Sequence, residues 1–237
     1  MERRKIAVVT GASSGIGLAT AQALGRAGLD VFLVGRHPAR LRAAAAGLPR
    51  GRLRGRAQAD LASLDDLRAL IVQVLGLGHV DLLVHCAGEY DRSEAGRFDP
   101  ERFALLFDVN VRAPYLLTQG LLVALARARG QVVFVNSSVV RGAGEGVALY
   151  KSTQHAVQGL TDSLRQDLNR RGIRVTSLYP GRTATPRMAR IYRREGKRYR
   201  PALLMSAADV AGVVVALAQL PAGVEVTDLH LRSVHRY

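Results

Sequence analysis

The sequence predicts an α/β fold, a doubly wound parallel sheet covered by helices on both faces. Short β-branched runs alternate with longer Ala/Leu-rich amphipathic stretches from end to end, the pattern of repeated βα units. The first run passes through a glycine-rich turn directly into the helical pattern LATAQALGRAG. Finally, 237 residues suffice for one full-sized core and would make two cramped ones.

In chain order, the expected strands are Ile6–Thr10, Val31–Val34, a weaker run near Arg54–Gln58, Val80–His85, Val132–Asn136, Val175–Tyr179 and Val224–Leu231. The expected helices lie between them, roughly Gly15–Ala27, Pro38–Ala46, Leu64–Leu75, Pro100–Ala128, Ala148–Arg170 and Ala207–Gln219. No stretch of linker composition divides them and no fixed period repeats, so residues 1–237 read as a single domain.

Composition excludes several classes. With 48% hydrophobic and 22% charged residues, the chain is neither disordered nor fibrous. Its single cysteine, Cys86, cannot form an internal disulfide and sits in the apolar run LLVHC, which fits a reducing, cytoplasmic setting. Ile6–Val9 is too brief for the core of a secretory signal, and no run of about 18 uncharged apolar residues occurs, so neither export nor a membrane span is expected. The net charge of +15 first suggests a polyanionic partner. Lysine, however, appears only at Lys5, Lys151 and Lys197; an arginine-for-lysine skew beside many Ala and Gly is what GC-rich coding produces, so nucleic acid is not expected. Nor is a metal site.

The first turn reads Thr10-Gly11-Ala12-Ser13-Ser14-Gly15-Ile16-Gly17. Glycines there let the backbone turn tightly and approach a pyrophosphate, whose charge lies at the positive end of the following helix. A tight turn without ligand is the plainer reading, but a strand before and a helix after favour a dinucleotide. The second strand ends Val34-Gly35-Arg36-His37. An acid expected near that end for a free ribose 2′-hydroxyl is absent, whereas Arg36 suits a 2′-phosphate, so NADP(H) is favoured over NAD(H). Asp60, ending the third strand, would lie near the adenine.

Six motifs carry a resemblance: the glycine turn, HCAG at His85–Gly88, DVNVRAPYLLT at Asp108–Thr118, VVFVNSS at Val132–Ser138, a helix with Tyr150, and PGRTATP at Pro180–Pro186. In this order and spacing the sequence resembles the short-chain dehydrogenase/reductase superfamily over nearly its whole length. The resemblance implies a Rossmann-type sheet in order 3-2-1-4-5-6-7, a nicotinamide cofactor, a carbonyl or alcohol substrate, and a homotetramer or homodimer built through the two longest helices. It puts the active-site serine at Ser137, with Ser138 as the alternative, the tyrosine at Tyr150 and the helix asparagine at Asn110. It also puts Ala87, Gly88, Pro180 and Gly181 beside the cofactor, and gives the nicotinamide-holding threonine as Thr185 or Thr183. The serine hydroxyl would bond the substrate oxygen while the tyrosine gives it a proton.

The pattern breaks at two positions, the smaller departure being Cys86 in place of the usual asparagine before Ala87-Gly88, which bears on a local strand contact and not on the reaction. The family has lysine four residues after the tyrosine, where it binds ribose and lowers the tyrosine pKa; here that residue is Gln154. Lys151 points about 100° round the helix from Tyr150 and cannot simply replace it. A tyrosine left near its ordinary pKa of about 10 is available as an acid but scarce as a base, which leans toward carbonyl reduction. The neighbouring Arg141, Lys151 and His155 are candidates for restoring some field. Non-redox chemistry (isomerisation, dehydration or cyclisation) in the same pocket, or a silent nucleotide-binding protein, are the alternatives.

A basic lid at about residues 186–205 completes the reading. Between Arg187 and Arg200, seven basic residues face one acid, Glu195. Arg187, Arg190 and Arg194 recur at helical spacing, which would suit a carboxylate, a phosphate or an acidic carrier protein; a solvated helix face is the plainer reading. Tyr192, Tyr199 and Tyr90 are candidate aromatic walls, with packing an equal reading.

Overall fold

The computed structural model describes residues 3–93, 96, 99–142 and 145–235. The chain opens on β1 (Ile6–Thr10), buried at all five positions, and crosses the glycine turn into α1 (Gly15–Arg26). It then builds outward through β2 (Asp30–Gly35), α2 (Pro38–Ala46), β3 (Leu53–Gln58) and α3 (Leu64–Leu75). It returns to the other side of β1 with β4 (Leu82–His85). From there α4 (Pro100–Phe107), α5 (Ala113–Gly120) and α6 (Leu122–Ala128) lead to β5 (Gln131–Val135), α7 (Ala148–Asn169) and β6 (Arg174–Pro180). A two-stranded ribbon of β7 (Thr183–Ala184) and β8 (Met205–Ser206) brackets α8 (Pro186–Arg194). Last come α9 (Ala207–Gln219) and β9 (Asp228–Leu231).

The main sheet runs β3-β2-β1-β4-β5-β6-β9 with every pair parallel, the order expected from the sequence. Successive strand residues point to opposite faces, and this divides the core in two. Ala7 and Val9 of β1 pack with Leu24 of α1, Leu41 of α2 and Val210, Val214 and Leu217 of α9. Val8 packs with Leu67, Leu70 and Val74 of α3, Leu117 of α5 and Val157, Leu164 and Leu168 of α7. Because the strand order reverses between β1 and β4, their carboxyl ends open a crevice, the usual place for a ligand in such sheets. No helix among the described residues is long and apolar enough to cross a membrane.

Three expected elements differ. The helix expected over Pro100–Ala128 is interrupted by a π-helical turn at Asp108–Arg112 and breaks again at Leu121. Pro114 has no N–H to give the Asn110 carbonyl, so the regular ladder cannot continue there. The strand expected from Val80 begins at Leu82, because the Val80 N–H donates to the Ala124 carbonyl (3.0 Å). The strand expected from Val224 begins at Asp228: the Glu225 carboxylate takes the Val175 N–H (2.6 Å) and stands in for a main-chain acceptor. The β7–β8 ribbon was not anticipated; it anchors both ends of the basic segment.

Candidate active site

A cleft of about 1680 Å³ runs from the glycine turn along the carboxyl ends of β1, β4, β5 and β6 to the basic lid. Its floor is the glycine turn. Gly11 (φ +66°) passes so close to the β4 end that a Cβ would lie 2.8 Å from the Ala87 nitrogen, and a Cβ on Gly17 would meet the Gly11 carbonyl oxygen at 2.3 Å. Both glycines are therefore required by close backbone approach. The N-cap of α1, Ser14, makes no side-chain cap bond and the first turn carries no acid, which leaves its N–H groups available to an anion. Thr10 ties the opposite wall, its hydroxyl accepting from the N–H groups of Cys86 and Ala87 (both 3.1 Å). A narrow glycine cradle, an uncapped helix end and a long cleft fit a dinucleotide.

Ser13, Ser14, Gly15, Ile16, Arg36, Asp60, Ala87, Gly88, Pro180, Gly181, Thr183 and Thr185 all line this cleft with Gly11 and Gly17. The two threonine candidates have structural duties. Thr183 donates to the Gly181 carbonyl (3.0 Å), and Thr185 caps α8 by accepting from the Met188 N–H (3.2 Å). Arg36, expected to suit a 2′-phosphate, pairs through its guanidinium with Glu89 across the groove at 2.7 Å. Arg102 reaches the same carboxylate at 3.8 Å. Glu89 was not anticipated, and nothing in its local pattern signals a long-range partner.

The catalytic candidates converge on the far half. Ser137 lies two residues past the end of β5 and hydrogen-bonds Tyr150 near the start of α7; both line the cleft, as do Asn110, Ser138 and Gln154. Burial pushes the Tyr150 phenol above its ordinary pKa, while the Arg187 charge and a hydrogen bond with Ser137 pull the other way without cancelling it. The ring packs edge-on against Tyr90 with centroids 5.0 Å apart. Ser137 also accepts from the Val139 N–H (3.2 Å), so it caps a 3-10 turn as well as facing the tyrosine.

A network behind these groups holds α7 in place. Asn110, at the centre of the π turn, accepts from the Glu89 N–H (2.7 Å) and donates to the Glu89 carbonyl (3.0 Å) and the Thr153 hydroxyl (3.0 Å). Thr153 in turn donates to the Tyr150 carbonyl (2.7 Å), and the Gln154 amide reaches the same hydroxyl at 3.4 Å. Asn136 spans the other side, donating to the Gln154 carbonyl (3.0 Å) and accepting from the Ser137 N–H (2.7 Å). Gln154 is buried and brings no charge. Thr153 and Asn136 were not singled out in the sequence, where polar residues beside a site carry no special signal.

None of Arg141, Lys151 and His155 lines the cleft. Lys151 turns away and donates to the Gly142 carbonyl (2.6 Å). Burial also silences two nearby groups: it pushes the Cys86 thiol up to about 12, against a hydrogen bond with Thr20, and the His85 imidazole down to about 3.

The lid helix α8 turns Arg187, Arg190 and Arg194 toward the cleft. Arg187 donates to the Gly88 carbonyl and so bridges lid and β4 loop. Glu195 is held by Arg92 and by Lys197 (2.8 Å); burial raises its pKa, but these two cations outweigh that and keep it low. Tyr192 was expected as a substrate wall. It lines the cleft, and it is also held by packing: the residue is only 8% exposed, with the Arg182 guanidinium on its hydroxyl (3.1 Å) and Tyr199 edge-on at 5.5 Å.

The family model described as short chain dehydrogenase matches residues 5–196. An uncharacterized oxidoreductase of Staphylococcus epidermidis is 31% identical over 98% of both chains. Among solved structures, an alcohol dehydrogenase from the archaeon Thermococcus sibiricus complexed with 5-hydroxy-NADP superposes with a TM-score of 0.88 at 28% identity, over 99% of both chains. An actinorhodin polyketide ketoreductase with NADPH gives 0.87 at 27% identity, over 96% of this chain and 95% of that one. With its sheet order, its glycine cradle and its serine–tyrosine pair in register, the chain belongs to the short chain dehydrogenase family of oxidoreductases.

Proposed function

We propose that the protein is an NADPH-dependent carbonyl reductase. The observation that carries this reading is Tyr150, a phenol kept protonated by burial and faced by Ser137 in the same cleft as the dinucleotide cradle. The nicotinamide would supply a hydride to the carbonyl carbon. Ser137 bonds the substrate oxygen and holds it against the Tyr150 hydroxyl, which gives up its proton as charge develops there. A phenol with a raised pKa rests protonated, so the proton is in place to give even though the acid is weaker, and the ionised form that oxidation needs is scarce; the resting state favours reduction. Gln154 offers its amide to ribose hydroxyls, Asn110 and Thr153 hold α7 in register, and Arg36 turns from Glu89 to a 2′-phosphate.

The same reading extends to the substrate. Arg190 and Arg194 line the cleft from one face of α8, and no acid pairs with either in the described residues, which suits a carboxylate, a phosphate or an acidic carrier on the carbonyl compound. A panel of ketones in matched neutral and carboxylated forms, with NADPH and NADH, tests both parts. NADPH-linked reduction that favours the carboxylated member and is lost in Tyr150→Phe is expected; full activity in Tyr150→Phe overturns the assignment of the proton donor.

A further inference from the structure

Any reduction in which Tyr150 gives up its proton leaves a phenoxide until solvent restores it. The O–H bond of the phenol breaks, the substrate oxygen gains the proton, and the negative charge stays on the ring oxygen. Gln154, buried one helical turn on, cannot offset that charge, and Lys151 is committed to the Gly142 carbonyl on the far side. The cation has to come from another element.

The cleft is rich in cations, and four of them are paired with acids. Arg36 is on Glu89, Arg102 on Asp91 at 3.1 Å, and Arg92 and Lys197 on Glu195. Arg187, Arg190 and Arg194 pair with no carboxylate in the described residues, and of the three Arg187 is the one that starts the lid helix with its guanidinium resting on the neutral Gly88 carbonyl, two residues before the Tyr90 that packs on Tyr150. Tyr90 packs against Tyr150 from the β4 loop, and Tyr90 in turn faces Glu195, Arg92 and Asp91. Glu145, exposed, lies on the same cleft wall. The Arg187 charge also acts on the Tyr150 phenol in the sense required, favouring its ionised form.

We propose that Arg187 is the positioning cation of this site, supplied by the lid in place of the missing lysine, so that Tyr150 has its counter-charge only while α8 lies on Gly88. This rests on the reading of Tyr150 as proton donor and adds a consequence. Lid closure and proton-transfer competence become one event, since opening α8 removes the substrate cover and the charge together.

The test reads Tyr150 itself. Ultraviolet titration from neutral pH to about pH 11.5, taken as the difference between the protein and its Tyr150→Phe variant, isolates the one phenol from the rest without cofactor or substrate. Arg187→Met is expected to move that component upward by about one pH unit or out of the window. Arg187→Lys restores it, and Arg193→Met, which alters a residue outside the cleft wall, leaves it in place. The pH profile for alcohol oxidation with NADP moves in parallel, and adding Gln154→Lys to Arg187→Met brings both back. A Tyr150 component that titrates alike in the parent and in Arg187→Met overturns the proposal, as does a parent in which it never titrates within the window. Failure of the reading of Tyr150 as donor looks different: the titration shifts as described while Tyr150→Phe keeps full activity.

Discussion

Replacing Arg36 by leucine separates the two nicotinamide dinucleotides by an amount that the structure bounds. The Arg36 guanidinium meets Glu89 at 2.7 Å, with the arginine side chain 50% exposed and the glutamate 18%. A pair that open to solvent contributes no more than about 1 kcal/mol. A 2′-phosphate, with a charge of about −1.5 to −2, competes well against a single carboxylate. A hydrogen bond to a charged group contributes about 1.5–3 kcal/mol, and the exposure places this one near the lower end. Arg36→Leu is therefore expected to weaken NADPH by roughly 10- to 30-fold and NADH by less than about threefold. Glu89→Gln removes the competitor and should tighten NADPH by about two- to fivefold. The chain has no tryptophan, so the fluorescence gain of the bound dihydronicotinamide can be titrated without that background. Equal losses for both dinucleotides in Arg36→Leu would refute the reasoning. A Glu89→Gln variant that loses NADH and leaves NADPH unchanged would instead assign the carboxylate to a ribose hydroxyl.

Three further outcomes follow from the geometry. Gly17→Ala drives a methyl to 2.3 Å from the Gly11 carbonyl oxygen, so the turn must open; thermal melts should show a loss of about 1–3 kcal/mol, and dinucleotide affinity should fall more than about tenfold. Gln154→Lys returns a cation one turn from Tyr150 and should raise alcohol oxidation more than carbonyl reduction near neutral pH, so an equal effect in both directions would count against a charge deficit there. His85 stays neutral in the folded protein down to about pH 3 because it is buried, whereas the unfolded chain protonates it below about 6.5. The unfolded state thus binds more protons between those values, and stability is lost as pH falls, at up to about 1.4 kcal/mol per pH unit. Denaturant melts at pH 7 and pH 5 should show a drop of about 2 kcal/mol from this group that His85→Gln removes; parallel drops in both proteins would exclude His85 as the source.

What could be read from the sequence was local. The glycine cradle depends on residues within eight positions of one another, and Ser137, Tyr150 and Gln154 are set by short spacings from the end of β5 into α7, so short-range pattern is enough to bring all of them to one cleft. Contacts across the cleft were not legible. Arg36 looked like an unopposed phosphate ligand because its partner Glu89 arrives from another strand end. The cations sought for Tyr150 were its chain neighbours, whereas the one whose charge reaches it, Arg187, lies on the lid helix. Tyr192 shows the same limit, since a helix period places it on the cleft wall but does not reveal the Arg182 contact that holds it there. One missed feature did leave a signal: Pro114, four residues after Asn110, announced that the long helix could not pass regularly through the site.

Turnover with NADPH deuterated at the transferring position of nicotinamide C4 tests whether, as proposed, hydride and proton meet on one carbonyl in this cleft. One deuterium on the new carbinol carbon and a matching loss of NADPH are expected, both abolished in Tyr150→Phe. A product that forms with no deuterium and no NADPH consumed would refute the proposed reduction and leave a non-redox reaction on an oxidoreductase fold.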